Sequence, residues 1–175
     1  MKKILPAFLS LTLLIFSSTS FAQDTEPVTT TVDAGYKTAI GIRLSTDAAV
    51  INNSVSFKHF LNDKLAIEAF LAFSNPVAIG ALLEIHKPFA GTAGLKWFYG
   101  AGAYIGFDND KLKTTGRTLM GAMGVVGLDY KFVSVPLNLS LDWKPELHII
   151  DEINFEPAAI GFTARFTFGK KGFGN

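Results

Sequence analysis

Three histidines are the side chains of this 175-residue chain best suited to acid–base catalysis near neutral pH. They stand in His59-Phe60-Leu61, His86-Lys87-Pro88 and His148-Ile149-Ile150. Hydrolysis through a covalent intermediate needs a base beside a nucleophile. No serine follows two positions after any of these histidines, and the chain has no cysteine. The sequence therefore indicates no catalytic residue, and we predict that the protein is not an enzyme.

Two short motifs resemble ligand-binding loops, but neither has the neighbouring residues or secondary structure that such a loop requires. Gly100, Gly102 and Gly106 have the look of a dinucleotide-binding turn, but that turn must open a helix and here it lies in a strand pattern. The run 108–110, Asp-Asn-Asp, lacks the third oxygen ligand and the glycine of a calcium loop, since 112–113 is Leu-Lys. Without cysteine, disulfides and thiolate metal sites are excluded. We predict neither a cofactor nor a metal.

The segment 95–107 indicates which secondary structure the chain adopts. Its odd positions from Trp97 to Phe107 are all apolar or aromatic, and its even positions include three glycines and Lys96. A period of two predicts a strand, because successive side chains leave a pleated backbone on opposite faces. The strand is longer than the roughly five or six residues usual in globular sheets. Length and aromatic rings at both ends favour a strand that crosses a bilayer.

The same alternation recurs along the chain and predicts eight strands, an even number as in bacterial single-chain barrels. Connections of different length follow them, the longer ones near 45–51, 108–116 and 145–157. Short periplasmic turns and longer external loops are typical of outer-membrane barrels. The sequence thus predicts an all-β, eight-stranded antiparallel up-and-down transmembrane barrel. Its strands are expected at 35–44, 52–60, 65–74, 77–86, 95–107, 117–132, 136–144 and 158–168.

The segments outside the barrel have their own patterns. Residues 1–22 combine two lysines, an apolar run and small residues before Gln23, which predicts a cleaved signal peptide and export. Residues 23–34 are polar and are interpreted as a periplasmic leader. The barrel is expected at 35–168, followed by a tail at 169–175. We predict localisation to the bacterial outer membrane.

Charge excludes one class of partner. Removal of the signal segment takes Lys2 and Lys3 with it and leaves 14 basic and 15 acidic side chains. Nucleic-acid binding calls for a basic excess on one face, so it is not expected. The charged fraction is 18%, below the roughly 25–35% suited to a soluble surface. Part of the exterior is therefore predicted to face something other than water.

The alternation also assigns side chains to the two faces of the barrel. Glycines recur on the polar face, where a narrow interior needs small residues beside large ones. Rings near strand ends on the apolar face predict an interfacial girdle of Tyr36, Trp97, Tyr99, Tyr130, Trp143, Phe166 and Phe168. The inward side chains predict a lumen charge network of Arg43, Lys58, Glu68, Glu84, Lys96, Asp129, Lys131, Asp142, Lys144 and Arg165.

Charges of both signs in a narrow lumen are expected to pair, because an unpaired charge there carries a desolvation cost of several kcal/mol. Arg43, Lys58 and Arg165 lie on strands that become neighbours when the barrel closes, and Glu68 and Glu84 are their predicted partners. Inward aromatic rings also fill part of this narrow space, so we predict a lumen that does not conduct. The 145–157 loop is acidic and is a candidate for contact with an external partner or with a divalent ion on lipopolysaccharide.

The chain resembles the small OmpA/OmpX-type outer-membrane β-barrel proteins. The resemblance rests on 95–107, on Gly-Leu-Asp-Tyr-Lys-Phe at 127–132 with 136–145 after it, and on 160–168. It implies an eight-stranded, mostly pore-less barrel whose members differ in their external loops. Implied partners are outer-membrane lipids and lipopolysaccharide, and the barrel-assembly machinery during insertion. Many members end on an aromatic residue, whereas here residues 169–175 extend past Phe168.

Our prediction is a non-enzymatic outer-membrane barrel with a structural or surface-interaction role. Two alternatives stay open. One is a lipid A-modifying barrel enzyme, since lipid A deacylases and palmitoyltransferases resemble this chain in size and topology. The deacylases carry a His-x-Ser that this chain lacks. The other is a soluble periplasmic lipocalin-like barrel, which would be apolar inside and charged outside.

Overall fold

The computed structural model describes residues 35–46, 50–73, 76–108, 117–150, 153–157 and 159–170. Predicted segments 1–22 and 23–34 lie outside these ranges. The described residues contain no helix long and apolar enough to cross a membrane. Their strands are β1 (Tyr36–Ser45), β2 (Ser54–Phe60), β3 (Leu65–Ala72), β4 (Val77–Pro88), β5 (Leu95–Asp108), β6 (Arg117–Lys131), β7 (Leu137–Trp143), β8 (Glu146–His148), β9 (Asn154–Glu156) and β10 (Ile160–Lys170).

The strands form one closed antiparallel sheet. The order around it is β5, β4, β3, β2, β1, β10, β7 and β6, and pairing of β5 with β6 completes the circle. First and last strands meet through β1 and β10, from Tyr36 opposite Lys170 to Ser45 opposite Gly161. The predicted eight-stranded antiparallel barrel is confirmed.

The two short strands lengthen the wall and do not add to the circle. Trp143 lies opposite Val126 and Glu146 lies opposite Met123, so β7 and β8 pair with β6 in one continuous register. Pro145 interrupts them because it has no N–H to donate. Its carbonyl still accepts the N–H of Gly124 at 3.0 Å. The predicted loop at 145–157 therefore contains two strands, and β9 pairs with β8.

The connections define two ends of the barrel. We call the end that carries the connections 61–64, 89–94 and 132–136 the turn end. The opposite end, which carries residues 46 and 50–53 between β1 and β2, is the loop end. The last strand continues to Lys170, and residues 171–175 of the predicted tail lie outside the described ranges. The described part of that tail, 169–170, is in β10.

Burial alternates along the strands. In β4, inward Ala78, Leu82, Glu84 and His86 are buried, and the outward positions from Val77 to Ile85 are exposed. Large apolar side chains elsewhere on the outer face are about half exposed, for example Ile42 at 57% and Leu141 at 52%. The interior instead holds most of the buried charged groups. This arrangement is the reverse of a soluble barrel with an apolar interior.

Candidate functional site

A cluster of charged side chains fills the middle of the barrel interior. The ammonium of Lys58 lies 2.9 Å from Glu68 Oε2 and 2.8 Å from Glu84 Oε2. Arg165, on the far side of the closing β1–β10 seam, also pairs with Glu68. Asp129 Oδ1 is 3.9 Å from both Lys58 and Arg165. These side chains are at most 2% exposed, so the attraction between them is weakly screened by solvent.

Neighbouring hydroxyl and amide groups occupy the remaining donors of Arg165. Its Nε donates to Ser56 Oγ at 2.7 Å, and its Nη1 donates to Asn138 Oδ1 at 3.1 Å and to Ser140 Oγ. Ser56 in turn donates to Glu68 Oε1 at 2.5 Å. A buried guanidinium is tolerated when its planar fork of donors is satisfied in this way.

A second ion pair lies in the lumen nearer the loop end, over Gly161 of β10. Arg43 makes a two-pronged contact with Asp142, Nη1 to Oδ2 at 2.5 Å and Nη2 to Oδ1 at 2.7 Å. A Cβ built on Gly161 would lie 2.1 Å from the Arg43 guanidinium, so the glycine leaves room for it. The predicted pairing of Arg43 with Glu68 or Glu84 is wrong, because strand register places Asp142 opposite Gly161 and within its reach.

The first connection folds back into the barrel at the loop end. Glu146 is fully buried, pairs with buried Lys144, and accepts the backbone N–H of Val50 at 2.7 Å and of Ile51 at 3.3 Å. Val50 and Ile51 are 6% and 0% exposed and join the apolar cluster that lines β3 to β6. A carboxylate thus ties one connection to the wall formed by another strand.

Aromatic rings line the interior at the turn end. Tyr36 meets Phe60 edge-on at 5.1 Å, Phe60 meets His86 at 4.8 Å, and His86 stacks on Phe98 at 5.0 Å. The Lys58 ammonium lies 4.5 Å from the Phe98 ring centre. Cation–ring contacts of this kind are strongest where water is excluded. The rings therefore form a layer on the turn-end side of the central ions.

Tyr36 does not belong to the outer surface, where we predicted it. It is 3% exposed, and its hydroxyl donates to Asp129 Oδ2 at 3.3 Å inside the barrel. On the partner strand, Gly169 has a φ of 70° between the pairs Thr38–Phe168 and Tyr36–Lys170. The partner strand thus departs from extended geometry at the level where the alternation of faces in β1 is broken, since Tyr36 is buried and Lys37 is exposed.

Two predicted lumen lysines lie near the turn end of the barrel. Lys131 donates from Nζ to the carbonyl of Phe132 and, at 2.9 Å, to that of Val135, so it braces the turn and was wrongly placed in the network. Lys96 is partly exposed, and its Nζ lies 5.7 Å from the Phe60 ring centre. Both are near strand ends, where a long side chain can reach past the wall to water.

The other predicted girdle rings lie on the outer face in adjoining pairs. Trp97 stacks on Tyr99 at 5.5 Å, and Phe166 lies 4.9 Å from Phe168. Tyr130 meets Phe132 at 4.8 Å. All three pairs are toward the turn end. Trp143 is toward the loop end, 45% exposed, and its indole N–H donates to the Pro157 carbonyl at 2.5 Å.

Each histidine has a polar partner. His86 Nε2 lies 2.9 Å from Glu84 Oε2 in the interior. His148, predicted in a loop, is in β8 with Nδ1 2.6 Å from the Tyr104 hydroxyl.

His59 Nδ1 lies 2.8 Å from the Thr38 hydroxyl, a base beside a potential nucleophile. Triad chemistry also needs a third group to orient the ring. Within the described ranges no carboxylate lies within salt-bridge distance of His59. The described residues also contain no group of three or more side chains that could hold a metal ion.

Glu146 and the connection that it binds were missed from sequence. The signal was present, because the inward positions Asn138, Ser140, Asp142 and Lys144 lead directly to Glu146 at the same spacing. Pro145 suggested the end of a strand instead.

No protein-family model matches this chain, and no curated protein matches its sequence. Among solved structures, the N-terminal β-barrel domain of Pseudomonas aeruginosa OprF matches with a TM-score of 0.55 and 14% identity, covering 75% of this chain and 96% of that one. Neisserial surface protein A (NspA) matches with a TM-score of 0.42 and 13% identity, covering 75% and 94%. At 14% identity, the likeness to the OprF domain concerns the barrel fold.

Proposed function

We propose that this chain is a non-enzymatic integral protein of the bacterial outer membrane, with a structural or surface-interaction role and a lumen that does not conduct. The observation that carries the proposal is the inversion of polarity across the wall. Arg43, Lys58 and Arg165 are at most 1% exposed inside, whereas Ile42 and Leu141 are more than half exposed outside.

The outer face favours lipid over water as its surroundings. Soluble monomers rarely expose contiguous apolar patches larger than a few hundred Å². Here the exposed apolar side chains continue around the wall from Leu71 in β3 and Ile79 in β4 to Phe162 in β10. In a bilayer these side chains contact acyl chains, and a closed barrel leaves no unpaired sheet edge in the hydrocarbon.

The interior supports the absence of conduction. An eight-stranded barrel is just wide enough for its side chains to fill. Three groups of side chains lie in the lumen. They are the rings on the turn-end side of Lys58, the ions around Glu68, and the pair of Arg43 with Asp142. Val50 and Ile51 of the first connection add a fourth, apolar group. Function is then assigned to the outer wall and the loops.

Orientation and partners follow from this proposal. Short connections face the periplasm in outer-membrane barrels, so the turn end is assigned to the periplasm and the loop end to the exterior. Export through the predicted signal segment 1–22 would deliver the chain to the barrel-assembly machinery. Lipopolysaccharide would surround the loop end, where Trp143 and Phe155 are exposed.

Fractionation and electrophoresis test the membrane assignment. We expect the expressed protein in the outer-membrane fraction, with a gel mobility that changes on boiling. A soluble protein in the periplasmic fraction, with no heat-dependent mobility, would contradict the proposal. Release of fatty acid from purified lipid A would instead support the enzyme alternative.

Planar-bilayer recordings test the lumen. We expect no stable current steps from the pure folded protein or from its Glu68→Gln variant. Lys64→Gln, which changes an exposed lysine at the turn end, is the control and should also give none. Stable, ion-selective steps altered by Glu68→Gln and unaltered by Lys64→Gln would show a pore through the central ions. That result would overturn the non-conducting lumen and leave the membrane assignment intact.

A further inference from the structure

Lys87 is an exposed cation that two aromatic rings hold on the outer wall. Its Nζ lies 5.2 Å from the centre of the Trp97 ring and 5.6 Å from that of Tyr99. The two rings stack on each other with centres 5.5 Å apart and planes at 28°. A cation at such distances is attracted by the negative ring faces. The three side chains therefore form one preorganised surface feature.

Strand register places this feature at the edge of the apolar belt. Lys87 lies directly opposite Trp97, and Ile85 lies opposite Tyr99, so all four side chains share the outer face. Apolar Ile85 and Leu83 continue from Lys87 toward the loop end. On the other side Pro88 ends the strand. The ammonium is thus at the level where the apolar wall gives way to the turn end.

Lys87 differs from the buried cations in its partners. Lys58, Arg43 and Arg165 each contact a carboxylate. In the part of the chain that the structure describes, Lys87 contacts two rings and no carboxylate within salt-bridge distance. Its charge is therefore available to an anion from outside the protein. Because the rings already restrict the side chain, less rotamer entropy is lost when that anion binds.

We propose that Lys87, Trp97 and Tyr99 form a binding site for the phosphate of an anionic phospholipid. The inference rests on the proposed membrane location, which puts the turn end in the periplasmic leaflet. A lysine ammonium suits phosphate as a point charge. Tryptophan and tyrosine rings favour the headgroup level, where one edge is apolar and the other is wet. The site deepens the proposed function by naming a lipid class.

The chain provides its own reporter for this site. It has two tryptophans, so Trp143→Phe leaves Trp97 as the single indole, beside Lys87. The full barrel in this background is reconstituted in vesicles that mix phosphatidylglycerol with phosphatidylcholine, and one lipid at a time is brominated. Quenching of Trp97 by each brominated lipid gives their relative occupancy next to the ring.

We expect phosphatidylglycerol to be preferred at Trp97 about fivefold, the order of magnitude for one lysine near an anionic surface. Lys87→Gln should bring the preference close to one, and Lys87→Arg should retain it. Lys64→Gln is the matched control, because Lys64 is exposed at the same end and its carbonyl bonds to β4 at His86. It should leave the preference unchanged.

Equal quenching by the two lipids in the parent protein, or a preference that survives Lys87→Gln, would overturn the site. A preference lost equally in Lys64→Gln would overturn it as well, since the effect would then be general surface charge. These failures differ from failure of the membrane assignment, in which neither brominated lipid quenches Trp97 at all.

Discussion

The carboxylate of Glu146 accepts the backbone N–H of Val50 at 2.7 Å, although the two residues are 96 positions apart in the chain. The same carboxylate pairs with Lys144 and also accepts the N–H of Ile51. One buried group therefore serves both as the counter-ion of a lysine in the wall and as the anchor of the first connection.

Loss of the Glu146 charge should loosen that connection. Glu146→Gln keeps the side-chain shape and leaves the Lys144 ammonium without its counter-ion, which we expect to cost about 3–5 kcal/mol of folding free energy. Urea unfolding in lipid vesicles measures this cost, and proteinase K cleavage within 46–53 measures the release of the connection. Asn154→Ala, on the exposed neighbouring strand, is the control. An unchanged cleavage rate in Glu146→Gln would show that the connection does not depend on Glu146.

The pair of Arg165 with Glu68 should be coupled. Either Glu68→Gln or Arg165→Met removes one charge from the buried network and breaks a contact that the other side chain makes, which should cost about 3–5 kcal/mol. The double variant should cost less than the sum of the single variants, with a coupling of about 1–3 kcal/mol. A double-mutant cycle of vesicle unfolding titrations measures the coupling. Strict additivity would mean that the two side chains act independently.

Arginine should have different effects on neighbouring positions of β7. Leu141→Arg puts a charge on the apolar outer face and should cost roughly 2–4 kcal/mol near the bilayer middle. Ser140→Arg points inward beside Arg165 and should destabilise by crowding and charge repulsion. Unfolding titrations measure both costs in vesicles of increasing acyl length. The free-energy cost of Leu141→Arg should change with acyl length, and that of Ser140→Arg should not. Tolerance of arginine at Leu141 would indicate a surface that faces water.

Two substitutions of Tyr36 test its interior position. Tyr36→Phe removes the hydroxyl that donates to Asp129 and should cost roughly 1–2 kcal/mol. Tyr36→Ala also removes the ring packed on Phe60 and should cost about 3–5 kcal/mol. Thermal unfolding in detergent compares the two. If both variants were nearly neutral, the ring would lie on the outer surface as first predicted.

A pair of glycine substitutions tests the close approach of β4 and β5. A Cβ on Gly102 would lie 1.8 Å from the Ala81 carbonyl oxygen, so Gly102→Ala must push the strands apart and should cost about 1–3 kcal/mol or more. At Gly124 the nearest atom is Pro145 Cγ at 3.8 Å, and Gly124→Ala should be neutral or stabilising by about 0.4–1 kcal/mol. Folding yield and unfolding midpoint in vesicles distinguish them, and equal effects would contradict the predicted clash.

The alternation of residue types was enough to predict the strands and their faces, because inside and outside differ in polarity at every second position. It placed Lys58, Glu68 and Glu84 in the interior, where the structure has them. Alternation contains no information on which inward residues meet across the lumen. The partner of Arg43 depends on the stagger between strands, which pairing register determines and the residue pattern does not.

Local backbone geometry accounts for the other differences. Tyr36 follows the outward spacing of β1 and still turns inward, at the level where the partner strand has the left-handed Gly169. Pro145 interrupts β7 and β8 without ending the register, which sequence reasoning took as the start of a loop. Both cases depend on a contact between segments that are distant in the chain.

The ion pairs have a further consequence for how the barrel selects its alignment. A strand that slips by one residue exposes its charges to lipid, so alternation excludes that error. A slip by two residues keeps every inward side chain inward and is invisible to alternation. Such a slip would move Arg165 about 6–7 Å along the wall and separate it from Glu68. Alternation thus ensures that a barrel forms, and the buried charges discriminate among barrels that alternate equally well.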